Sequence, residues 1–135
     1  MKLDLASINY INAFERLTGA KVKDCIIENG KLTFIIDTTN ISKAIGKGGS
    51  NIKKAESILK KEVVVVGFNE DVTYFVSNLL YPVKAEDIKL ENKIVTVTVK
   101  DSFSKGKIFG RNKENLNKIL NIVKRYFDIE EIKVN

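Results

Sequence analysis

The 135-residue sequence contains no histidine and no tryptophan, one cysteine and one proline, and these scarcities remove whole classes of chemistry. Without imidazole there is no side chain that ordinarily titrates near neutrality to serve as a general base, and the commonest zinc ligand is missing. A lone cysteine, Cys25, can form neither an internal disulfide nor a CxxC site. Set in an apolar run beside Ile26, it reads as a small buried hydrophobe. No segment approaches the roughly 18 apolar residues of a membrane span. The first residues, "MKLDLASINYINAFERL", place Asp4 and several polar side chains where a signal peptide needs an unbroken apolar core. A cytoplasmic protein with no membrane association is expected.

Nucleotide-site signatures are missing too. A Walker loop requires G-x-x-x-x-G-K-[ST], yet Gly46-Lys47 is followed by Gly48 and Gly106-Lys107 by Ile108. A dinucleotide fingerprint starting at Gly46 would need glycine where Asn51 stands. The seven Phe and four Tyr form no RRM-type aromatic run. Tyr10, Tyr74, Tyr81 and Tyr126 lie on or beside helical stripes and read as packing residues with a wet hydroxyl. No paired carboxylates stand beside the glycines. The expectation is a non-enzyme, with no catalytic residue, metal ligand or cofactor.

What the chain does have is positive charge. Against 17 Asp+Glu stand 23 Lys+Arg, a net charge of +6 and a pI near 9.3, which makes polyanions the first partners to consider. An apolar fraction of 44% is enough for a packed core.

Periodicity gives the organisation. Leu5, Ile8, Ile11, Phe14 and Leu17 recur at near-helical spacing up to Gly19. Two β-rich runs follow, Val22 to Ile27 and Leu32 to Ile36, joined by the hairpin dipeptide Asn29-Gly30. A short helical piece around 42–45, a glycine break, a helix over about 50–60 and the run "EVVVVGF", read as a buried strand, complete the unit. The plan then repeats. Val72, Phe75, Val76, Leu79 and Leu80 form a second stripe ended by Pro82, and "EDIKLE" and "KIVTVTVK" turn at Asn92. "AIGKGGSNIKKAESILKK" lies over "IFGRNKENLNKILNIVKR", with Gly46 and Gly110 64 positions apart, and a terminal "EEIKV" stands for "EVVVV". The sequence thus predicts a duplicated α+β unit, residues 1–69 and 70–135.

Three glycines inside a helical stretch are costly, at about 0.8–1 kcal/mol each relative to alanine. What they provide is access. A helix start exposes unpaired N–H groups and a partial positive charge, and glycines ahead of it let a phosphate approach. Ile45, Gly46, Gly49 and Ile52 form I-G-x-x-G-x-x-I, with Gly48 a further small residue. This spacing resembles the G-x-x-G signature of K-homology (KH) domains, whose loop clamps about four single-stranded nucleotides. The element order is similar to the type II variant, and the pair of units resembles the NusA-like transcription factors in their short archaeal form. The resemblance covers essentially the whole chain.

It implies two tandem type II KH domains, each a three-stranded sheet with three helices on one face, and single-stranded RNA as ligand. It also implies a role in transcription termination or antitermination, with RNA polymerase as a further partner. The site residues it implies are Ile45, Gly46, Lys47, Gly48 and Gly49, and in the second copy Gly110, Arg111, Asn112 and Lys113. Lys43 and Lys53 join them because they cluster at the first loop, where a positive groove would follow a strand, with a solvated helix face as the other reading of Lys53. Lys113 departs from the motif's second glycine, and a side chain there limits approach to the helix end while adding charge. A ribosome-associated or RNA-processing KH module and a protein-binding adaptor are the alternative readings.

Overall fold

The computed structural model describes residues 4–135. Its internal contacts divide the chain between Asn69 and Glu70. In the first unit the order is α1 (Leu5–Thr18), β1 (Val22–Glu28), β2 (Lys31–Asp37), α2 (Ile41–Ile45), α3 (Ser50–Leu59) and β3 (Glu62–Phe68). In the second it is α4 (Val72–Leu80), β4 (Asp87–Glu91), β5 (Ile94–Thr98), α5 (Ser102–Phe109), α6 (Glu114–Lys124) and β6 (Glu131–Val134). Each unit holds one mixed three-stranded sheet, and the architecture is α+β. A tight hairpin makes the first two strands of each sheet antiparallel, and the third runs parallel to the second.

Local chemistry sets the boundaries. The Asp4 carboxylate accepts the Ser7 N–H at 2.8 Å to start α1, and Gly19, at φ 75°, ends it with its N–H on the Glu15 carbonyl. Between β4 and β5 both turn residues, Asn92 and Lys93, have positive φ, the type I′ geometry that matches strand twist. Between β1 and β2 only Gly30 does. In each unit this turn also holds the start of the third strand. The Glu62 N–H donates to the Gly30 carbonyl at 3.0 Å, and the Glu130 N–H to the Lys93 carbonyl at 2.7 Å.

The first unit's core joins Ile11 and Phe14 of α1, Cys25 of β1, Leu32, Phe34 and Ile36 of β2, Ala44 of α2, Ala55 of α3 and Val63 of β3. The Phe14 and Phe34 rings stack at 4.2 Å. Strand alternation puts Leu32, Phe34 and Ile36 on one sheet face, and all three helices reach that face through this cluster. Cys25 is buried as expected. In the second unit Phe75 of α4 meets Tyr126 edge-on and Phe127 at a tilt, both at 5.9 Å.

Three expectations need correction. The run "EVVVVGF" is an edge strand, buried only at Val63 and Val66; the continuously buried strand is central β2. On α1, Leu5 is 73% exposed and Ile8 40%. Residues three apart fall about 60° short of a full turn at each step, so a strict three-residue stripe winds round the helix. Counting back from Phe14, Leu5 arrives on the opposite side, and the buried face is Ser7, Ile11 and Phe14. Tyr74 and Tyr81 are exposed at 63% and 78%, whereas Tyr10 packs against the core as expected. No helix among the described residues is long and apolar enough to cross a membrane.

Candidate functional site

The break between α2 and α3 is a sharp bend in which three glycines take positive φ. Gly46 has φ 74° and ψ 167°, Gly48 φ 62° and ψ 23°, and Gly49 φ 78° and ψ 15°. The Gly46 conformation is one that only glycine adopts at ease. Space forbids a side chain as well: a Cβ there would lie 2.8 Å from the Asn51 backbone nitrogen and Ser50 Oγ. Around Gly48 and Gly49, by contrast, no atom beyond the adjacent residues lies within 4 Å of where a Cβ would sit, so both face open space.

The second bend repeats the first in residues that resist it. Gly110 has φ 68° and ψ −179°, Asn112 φ 54° and ψ 31°, and Lys113 φ 62° and ψ 18°. The largest difference at any matched angle is at the last position, 78° against 62°. Lys113 therefore takes the left-handed conformation of the glycine it replaces. A Cβ on Gly110 would lie 2.7 Å from Asn115 Cβ, so the first glycine is required here also.

The helix starts show what these bends leave available. α1, α4 and α5 each begin on an aspartate cap: Asp4 to Ser7, Asp71 to Thr73, Asp101 to Ser104. Neither α3 nor α6 has a side-chain cap; they begin on Gly49 and Lys113. The Ser50 and Glu114 N–H groups turn back onto the carbonyls of Lys47 and Arg111, and those of Gly49 and Lys113 onto Gly46 and Gly110. Each start is thus closed by the backbone of its own bend and has no side chain of its own over the helix end.

Positive charge surrounds the openings. Lys43, Lys47 and Lys53 are exposed, as are Arg111, Asn112 and Lys113; Ile45, Gly46, Gly49 and Gly110 are half-buried. The ion pairs found among the described residues, Lys31–Glu28, Lys89–Asp87, Lys93–Asp128 and Lys100–Glu86, involve none of these loop cations. Lys53, in the first turn of α3, opposes the helix dipole, a placement that a bound anion would relieve. Chain connectivity brings residues 43–49 into one corner with Lys53 a turn beyond, and residues 110–113 into another. α6 differs in carrying Glu114 in its first turn, where α3 has Ser50. That carboxylate competes for the same helix end.

Sequence reasoning passed over two residues that tie the bends together. Asn51 Nδ2 donates to the Lys43 carbonyl at 2.6 Å, and Asn115 Nδ2 to the carbonyls of Ile108 at 2.9 Å and Lys107 at 3.3 Å. The signal was present, since each asparagine stands five positions after its loop's first glycine. Among the described residues no group of three His, Cys, Asp or Glu side chains could hold a metal ion.

Residues 9–70, spanning the first bend, match the KH domain family. The chain is 31% identical to "Probable transcription termination protein NusA" of Methanocaldococcus jannaschii, over 99% of this chain and 75% of that protein. The chain belongs to this NusA-like family of KH-domain proteins. A relative of the same name from Methanococcus vannielii is also 31% identical, over 99% of this chain and 79% of its own length. Among solved structures, the crystal structure of APE1850 matches with a TM-score of 0.75 and 27% identity, covering 98% of this chain and all of that one. In this chain the second bend departs from the G-x-x-G spacing of the first, with Lys113 where Gly49 stands and Glu114 where Ser50 stands.

Proposed function

We propose that the protein is a non-enzymatic, cytoplasmic single-stranded RNA-binding protein in which both units are type II KH domains, the first with an intact clamp and the second with a modified one. Its role is in transcription termination or antitermination, in association with RNA polymerase. The observation that carries this reading is the pair of uncapped helix starts at α3 and α6, each entered through a positive-φ bend and flanked by exposed cations. Such an end presents N–H groups and partial positive charge to a phosphodiester, and lysine adds a point charge. The names of the relatives support the transcriptional setting.

The test is the double variant Gly48→Asp/Gly49→Asp, which puts carboxylates at the mouth of the first bend, where side chains have room. Fluorescence anisotropy with labelled single-stranded RNA should show at least about a tenfold loss of affinity, or about 1.4 kcal/mol. Circular dichroism should show the fold retained. For the unaltered protein, log affinity should fall with log salt by about 0.7 per phosphate neutralised. Normal RNA affinity in the folded double variant would refute the clamp.

A further inference from the structure

In an unbroken helix the Lys43 carbonyl would receive the N–H of Lys47, four residues on. The bend at Gly46 ends α2 and removes that donor from the helical ladder. Asn51 replaces it: its amide, on the first turn of α3, reaches back to the same carbonyl at 2.6 Å. In the second unit Asn115 does this for two carbonyls, Ile108 and Lys107, whose helical donors would have been Asn112 and Arg111. The donors displaced, on Lys47, Arg111 and Asn112, belong to the exposed bend itself. The N–H groups of Gly46, Gly49, Gly110 and Lys113 are taken up by nearby carbonyls. The amide satisfies the end of one helix with a side chain from the next and so releases the N–H groups of Lys47, Arg111 and Asn112 from the helical ladder.

We propose that Asn51 and Asn115 are positioning residues, holding each bend in the conformation in which its N–H groups can receive a phosphodiester. Two features tie them to the bend. Each is crowded against the loop's first glycine, so the asparagine and the glycine fix one geometry between them. The arrangement also persists where the intervening residues have changed from Lys-Gly-Gly to Arg-Asn-Lys. It does not depend on the glycines at the third and fourth positions. The inference rests on the reading of the bends as phosphate clamps, but the ordering it describes is a property of the free protein.

The test uses Asn51→Ala and Asn115→Ala in the full chain, with two readouts. Backbone amide relaxation in the free protein should give order parameters near 0.85 across residues 46–49 and 110–113 in the unaltered chain. Asn51→Ala should lower the first set towards about 0.6 and leave the second unchanged, and Asn115→Ala should do the reverse. In anisotropy titrations with a fluorescein-labelled single-stranded RNA, Asn51→Ala should weaken binding about tenfold, while the sheet amides keep their hydrogen-exchange protection. Bends that stay rigid in the alanine variants, or a loosened bend with unchanged RNA affinity, would overturn the positioning role. Failure of the unaltered protein to bind RNA would overturn the clamp reading instead, and the relaxation result would still decide whether the amides order the bends.

Discussion

Lys113 shows at the scale of one residue how much the bend is worth to the chain. A left-handed backbone costs an L residue roughly 1–2 kcal/mol, and Lys113 adopts it at φ 62°. Replacing it by glycine removes that strain but adds back about 0.4–1 kcal/mol of unfolded-chain entropy. Lys113→Gly should therefore raise unfolding stability by about 0.5–1 kcal/mol in urea, with an unchanged m value. Destabilisation would mean that the lysine side chain makes contacts outweighing its strain. Gly46 and Gly110 behave oppositely, since a methyl group there collides with backbone or Cβ atoms of the following helix. This part of the site was legible in the sequence as I-G-x-x-G-x-x-I. The asparagines were not, because a polar residue in a helix's first turn is ordinary, and only the fold shows which carbonyl it meets.

Single elements carry the pH dependence. Asp101 accepts the Ser104 N–H at 2.6 Å and its hydroxyl at 3.3 Å, and these bonds hold its carboxyl below the usual aspartate range. Asp71 is lowered in the same direction by the hydroxyl and N–H of Thr73. A carboxyl depressed by folding stabilises the folded state above its unfolded pKa, and this is lost as pH falls through the folded value. Thermal stability should accordingly decline from about pH 4 downward. Asp101→Asn, which still caps α5 but cannot titrate, should lose less stability over that range than the unaltered chain; an identical pH profile would show that the cap is not felt. The same elements show what sequence patterning conveys. Glycine and asparagine punctuation located helix ends and turns, because backbone conformation there is set by the residue itself. The exposed faces of α1 and α4 were misjudged, at Leu5, Ile8 and Tyr74, because the side of a helix that is covered depends on what packs beside it.

Two bends in one molecule have a consequence that neither has alone. On the function proposed above, once one unit holds an RNA strand the other meets it at high effective concentration, and the combined affinity would exceed either alone by about a hundredfold or more. Arg111→Asp/Lys113→Asp should then sharply weaken binding of an RNA long enough for both bends and leave a tetranucleotide, which fills one clamp, nearly unaffected. Equal effects on both lengths would show that the second bend does not act in tandem. The parallel pairing of β2 with β3, and of β5 with β6, adds a last point. Parallel neighbours require the chain to travel back along the sheet between them, and in each unit the bend lies on that return path. A return of the chain between those strands is therefore demanded by strand order before any ligand is considered, and the first glycine and the asparagine of each bend give it its shape. Residues 47–49 and 111–113 form an exchangeable cassette: writing Arg-Asn-Lys into the first unit, or Lys-Gly-Gly into the second, would alter affinity without rerouting the chain.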